Sequence, residues 1–189
     1  SSINKNDLTV SFTDGISGFV TMTHISEQFT SILEQLDDKM DDSDHDEDSE
    51  HDSSDDEGEA EAQKSKDLPD LKQYFQLGQW LRCRVTKNSA MDSRRSKKEK
   101  KRIELSLEPS EVNSFSEEDL DKYSAVQCSV KSMEDHGAIL DLGIEGLTGF
   151  LSKKDIPQGW QCLPGSVFLA NVVKKSSRTI TVNFDFGSK

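Results

Sequence analysis

The chain has little of what catalytic, metal-binding and membrane proteins are usually built from. Its three cysteines, Cys83, Cys128 and Cys162, lie far apart with no CxxC pair, and only four histidines accompany them. Such spacing supports neither a disulfide framework nor a zinc site, and a reducing compartment is the simpler setting. No apolar run approaches the roughly 20 residues that span a bilayer. The amino terminus also lacks a basic stretch followed by an apolar core. Walker-type glycine loops and GxSxG elbows are missing as well, so nucleotide hydrolysis and serine-hydrolase chemistry have no signature here. The expectation is therefore no enzymatic activity, no cofactor, no metal, no membrane and no small-molecule substrate.

What the chain does have is charge, unevenly placed. Residues 37–61 hold fifteen Asp or Glu and one Lys, a local net of −14 against −13 for the whole chain, which leaves the remainder at +1. The acidic balance thus describes one stretch and says little about the folded parts. From 37 to 66 apolar periodicity is lost; such a segment cannot offset its ordering entropy by burying surface, so disorder is expected there. The opening Ser1-Ser2-Ile3, without Met, reads as a fragment of something longer.

Around this insertion the sequence reads as strands. In residues 7–25, Leu8, Val10 and Phe12 alternate with polar positions around the turn residues Asp14-Gly15, a hairpin pattern. Ser26 can cap a helix in which Phe29, Ile32, Leu33 and Leu36 share one face, packing on its own barrel. Strand character returns over 78–85, where Trp80 is set against Cys83 and Val85, and over 102–107. A long basic hairpin loop lies between them. Pro109 stops the last of these strands, and Ser116 followed by Glu117, Glu118 and Asp119 starts a short helical turn. Five further strands at short spacing point to a small closed barrel, since closure removes exposed edges.

The two halves match each other. GISGFVTMTHIS (15–26) parallels GLTGFLSKKDI (146–156), LGQWLRCRVTKN (77–88) parallels PGSVFLANVVKKS (164–176), and RIELSLEP (102–109) parallels RTITVNFD (178–185). At these residues the sequence resembles the S1 RNA-binding repeat, a five-stranded OB barrel. The strings that carry the likeness in the second copy are DHGAIL (135–140), EGLTGFLS (145–152), GSV (165–167) and RTITV (178–182). The fold expected from the resemblance is all-β: two tandem S1/OB-type barrels, the first incomplete at its amino end and interrupted by the acidic insertion. The expected boundaries are 1–36 and 67–112 for the two parts of the first repeat, 37–66 for the insertion, 113–121 for a linker and 122–187 for the second repeat.

The tandem divergent copies, with an acidic insertion inside one, further resemble the multi-repeat ribosomal-RNA-processing scaffolds of the fungal nucleolus. That resemblance implies residence in the nucleus and nucleolus. It also implies a non-catalytic role in processing precursors of both ribosomal subunits. The implied partners are precursor rRNA, small nucleolar ribonucleoproteins and ribosome-assembly proteins. The alternative is a protein-interaction module whose barrels no longer bind RNA.

Candidate contact residues follow from this. Arg94, Arg95, Lys97, Lys98, Lys100 and Lys101 form the densest basic run, suited to following phosphates without reading bases; a nuclear-import signal has the same density. In strong single-strand binders of the S1 kind, aromatics on the second strand and a His on the third stack against bases. Here those positions hold His136, Ile139 and Ser152, and in the first copy Asn6, Thr9 and Thr21. His136 is left as a flat platform, with Lys153 and Lys154 as nearby cations. Phe19 and Phe150 are expected in the barrel core or rim. Ser43, Ser49, Ser53 and Ser54 each precede an acidic residue by three positions, a pattern for phosphorylation by acidophilic kinases.

Overall fold

The computed structural model describes residues 1–41, 68–88, 103–114 and 116–184. The second repeat is a closed barrel of β6 (Ala125–Glu134), β7 (Gly137–Asp141), β8 (Thr148–Ser152), β9 (Val167–Ser176) and β10 (Thr179–Phe184). Around the barrel the order is β10-β8-β7-β6-β9, with β8 and β10 parallel and β9 returning to β10. Alternation in these strands turns Val126, Cys128, Val130, Ala138, Leu140, Leu151, Phe168, Ala170, Val172, Ile180 and Val182 inward, and all are buried. One end of this core is closed by Trp160, whose ring meets Phe168 and Phe184 edge-on at 5.0 and 4.5 Å.

The first repeat has the same topology, opened out. Its strands are β1 (Ser2–Ile3), β2 (Asp7–Ser11), β3 (Ser17–Thr21), β4 (Arg84–Asn88) and β5 (Ile103–Ser106), in the order β1-β2-β3-β5-β4. That is the circular order of the second barrel with the first and fourth strands unpaired. The opening strand is present as a two-residue piece, Ser2 opposite Thr9 and Ile3 opposite Leu8. β1 and β4 do not pair among the described residues, and a cleft lined by Ile3, Leu8, Val10, Phe75, Leu77 and Leu81 lies between β1, β2 and residues 75–81.

Two expectations need correction. The α1 helix (Glu27–Asp41) starts where Ser26 caps it, its Oγ accepting from Phe29 N–H at 3.2 Å, but it continues five residues into the stretch expected to be disordered. A helix already nucleated and packed extends at little cost into polar sequence. Residues 42–66 lie outside the described residues. The expected strand over 78–85 begins only at Arg84, and Trp80 is 79 % exposed.

Arg82 bonds to the second barrel instead, while Leu81 and Cys83 on either side of it pack against the first repeat's core. Gln127, fully buried on β6, accepts from Arg82 N–H at 2.7 Å through Oε1. Its Nε2 donates to the carbonyls of Arg82 (3.0 Å) and Leu107 (2.7 Å). Asn113, just after α3 (Pro109–Val112), accepts from Gln127 N–H and donates to the carbonyls of Gln127 and Leu142. Ser26 donates to Gly165 C=O, and Val167 of β9 belongs to the first repeat's core with Phe29, Leu71, Leu105 and Leu107. Phe29 also meets Tyr74, from α2 (Leu71–Tyr74), edge-on at 4.9 Å. The two repeats therefore share one continuous seam of apolar packing and satisfied hydrogen bonds, the condition under which buried polar groups are tolerated.

Candidate nucleic-acid interface

The outer faces of the two sheets carry corresponding rows of side chains, with a Phe and a Lys in the same places. In β8, Gly149 and Leu151 are buried, so Phe150 between them points outward and is half-buried. In β3, Gly18 and Val20 are buried and Phe19 is the outward residue. The glycine before each Phe is imposed by the core behind it. A Cβ on Gly149 would come within 2.8 Å of Leu140 Cβ, and one on Gly18 within 2.5 Å of Leu105 Cδ1. The Gly-Phe pair that recurs in the sequence is thus one crowded inward position followed by one outward, half-buried aromatic; of the expected core or rim placement, the core does not hold for either Phe.

Strand register extends each Phe into a row. In the second repeat Ile139, Phe150, Thr181 and Lys174 lie side by side across β7, β8, β10 and β9. In the first repeat the row is Thr9, Phe19, Glu104 and Lys87 across β2, β3, β5 and β4. Each row ends at a bulge of the same kind: the register shifts between Val85 and Lys87, and between Thr181 and Val182 opposite Val173. A bulge bends the strand and re-aims the side chain that follows it, here a lysine both times. The rows differ in one charge. Glu104 sits 3.9 Å from Lys87 Nζ in the first repeat, whereas Thr181 puts no carboxylate in the corresponding place in the second.

Of the residues singled out from sequence, three come together at one end of the second barrel. His136 is exposed in the β6–β7 turn, and Lys153 N–H donates to its carbonyl at 3.0 Å. Lys154 N–H is capped by Ser152 Oγ at 3.4 Å, leaving both lysine side chains exposed three and four positions beyond Phe150. Gly137 makes this end compact, since a Cβ there would lie 2.1 Å from Leu151 O and 3.0 Å from Phe150 Cζ. The Phe150 ring therefore rests against bare backbone. Arg94, Arg95, Lys97, Lys98, Lys100 and Lys101, and the serines Ser43, Ser49, Ser53 and Ser54, lie outside the described residues.

The outward Phe residues and Lys87 and Lys174 were missed as a site from sequence. The signal was available: strict alternation in SGFVT and TGFLS puts Gly and Val or Leu on one face and Phe on the other. All three thiols are held above their ordinary pKa. Burial pushes Cys83 and Cys162 up to about 11, and raises Cys128 further with help from the Asp141 carboxylate. Among the described residues no group of three or more His, Cys, Asp or Glu is disposed to hold a metal ion. No helix among them is long and apolar enough to cross a membrane.

No protein-family model matches the chain. It is 35% identical over 179 residues to the rRNA biogenesis protein rrp5 of Schizosaccharomyces pombe, covering 93% of this chain and 10% of that protein. It is 30% identical over 150 residues to the human Protein RRP5 homolog, covering 79% of this chain and 7% of that protein. The chain thus spans a tenth or less of the length of these curated relatives. An uncharacterized protein of Methanocaldococcus jannaschii of known structure is 18% identical, with a TM-score of 0.33 over 35% of this chain and 95% of that one.

Proposed function

The chain belongs with the Rrp5-type S1-repeat proteins, and from that premise we propose that it serves rRNA biogenesis as a non-catalytic scaffold that holds single-stranded precursor rRNA loosely. The observation that carries this reading is the duplicated outer row, with an aromatic and a cation two strands apart on the second barrel: Phe150 offers a face for a base, Lys174 a charge for a phosphate. Base stacking on an aromatic contributes about 1–3 kcal/mol and tolerates any sequence. Phosphate contacts add affinity that falls steeply with salt. His136, Lys153 and Lys154 extend the contact at one end, and the basic run from Arg94 to Lys101 supplies further phosphate contacts from the first repeat.

The first repeat is assigned the weaker share of RNA binding, because Glu104 beside Lys87 cancels the cation of its row. Its exposed Leu77 and Trp80 favour contact with assembly proteins or small nucleolar ribonucleoproteins instead. In this reading the work takes place in the nucleolus, and phosphorylation of Ser43, Ser49, Ser53 or Ser54 strengthens an acidic segment that competes with RNA for the basic run.

A fluorescence-anisotropy titration with a labelled twelve-nucleotide uridine RNA at low and moderate salt tests the reading. Binding that weakens on adding salt, on Phe150→Ala and on neutralising the six basic residues supports it. Absence of binding at low salt would favour the protein-interaction module.

A further inference from the structure

We propose that Tyr123 is a second base-stacking platform, so that the RNA path on the second barrel continues past Phe150, over β10 and the β9 bulge, to the segment leading into β6. This inference rests on the RNA-binding reading above and adds a site to it.

Tyr123 is in an unusual position. It is 75% exposed, and its φ of 74° places a non-glycine residue in the left-handed region, which costs an L-residue of this kind of order 1–2 kcal/mol. Side-chain burial does not compensate for that cost. The conformation is held by backbone on both sides: Tyr123 N–H donates to Val172 C=O at 2.7 Å, and Val172 N–H donates to Ser124 C=O at 2.9 Å. An exposed aromatic is therefore fixed beside β9, at the point where that strand bulges.

The bulge turns Val173 outward next to Lys174; Val173 is 39% exposed and Lys174 exposed. Lys122 Nζ lies 4.9 Å from the centroid of the Tyr123 ring, within range for a cation held over an aromatic face. Along the outside of the barrel the order is then Phe150, Thr181, Lys174 with Val173, and Tyr123 with Lys122. At about 4.8 Å per strand step this arc is about 14 Å long. Two aromatics bracket two lysines. The segment before Lys122 carries Glu117, Glu118, Asp119 and Asp121, so the cations of the arc are Lys174 and Lys122 alone. Spaced aromatics with interleaved cations match a flexible single strand, whose bases can turn outward to stack while its phosphates meet lysines. A protein partner would be matched better by a contiguous apolar patch, and here Val173 is flanked by charge.

The test is the same anisotropy titration of the full chain with a twelve-nucleotide uridine RNA, on Tyr123→Gly, Tyr123→Phe and Phe150→Ala. Glycine is at ease at a positive φ, so Tyr123→Gly removes the ring without endangering the fold, which a thermal melt confirms. The expected result is binding weakened by about 5- to 150-fold in Tyr123→Gly, the range that corresponds to one stacked base. Tyr123→Phe should bind as the unaltered chain does. Unchanged binding in Tyr123→Gly, with Phe150→Ala still impaired, would overturn the second platform while leaving the proposed function in place. Equal loss in Tyr123→Gly for single-stranded and duplex RNA would also overturn it, because a duplex has no free base to stack.

Discussion

At the scale of single residues, two positions decide whether the barrels hold their shape and present their faces. Gly137 admits no Cβ, since the Leu151 carbonyl would be 2.1 Å away and the Phe150 ring 3.0 Å. Gly137→Ala should therefore destabilise the chain by about 2 kcal/mol, in the range for overpacking. It should also weaken RNA binding, because the ring that rests on Gly137 must move. Urea denaturation and an RNA titration on the same variant check both halves of this expectation. Gln127 is the opposite case, a buried polar group with every hydrogen-bonding atom in use. Gln127→Leu leaves Arg82 N–H and the carbonyls of Arg82 and Leu107 without partners. At about 1–3 kcal/mol for each buried group left unsatisfied, discounted because Arg82 can regain water, the loss should be about 3 kcal/mol by urea denaturation.

At the scale of elements, the junction between β5, α1, α3 and β7 gathers carboxylates. Burial, followed by the charges of Asp141, Glu27 and Glu111, raises Glu108 from its ordinary value to about 7, partly opposed by the backbone N–H of Glu27. A group with a raised folded pKa holds its proton more tightly in the native state, so stability should fall as pH rises from about 4.5 towards 7 and then level off. Glu108→Gln should remove most of that slope and make the chain more stable than the original at pH 8, as thermal melts across the pH range would report. An unchanged slope would show that Glu108 is not the titrating group.

The elements were unequally legible in the sequence. Strands β6 to β10 and the repeat itself could be read because one buried face makes apolar residues alternate, and because the Gly-Phe pair marks the same crowded position twice. Residues 78–83 misled because Trp80 and Arg82 keep a strand-like rhythm. The backbone partners of Arg82 belong to the Gln127 side chain of the other repeat, a long-range pairing with no local signature. The end of α1 was missed because a docked helix can run into acidic sequence without needing apolar residues there. Phe19 and Phe150 were expected in the barrel core or rim, and their place between two buried residues sets them on the outer face.

At the scale of the whole molecule, the second repeat is a complete barrel and the first is an open sheet that leans on it. Val167 completes the first repeat's core, and Gln127, Asn113 and Ser26 tie backbone across the seam. The two repeats should therefore unfold in one cooperative transition, with tryptophan fluorescence and circular dichroism giving coincident urea midpoints. Two separated transitions would mean the seam is too weak to couple them. The shared seam also fixes how the Phe-Lys rows are displayed, so a strand held as proposed on one row would meet the next surface in a set geometry.

The outward row of the second barrel is the proposed seat of single-stranded RNA. It is tested most directly by following backbone amide resonances while a twelve-nucleotide uridine RNA is added at low salt. Saturable shifts should concentrate at Ile139, Phe150, Lys174 and Thr181, be weaker at Thr9 and Phe19, and diminish with added salt. Shifts that avoid this row, or none at all at millimolar RNA, would contradict it.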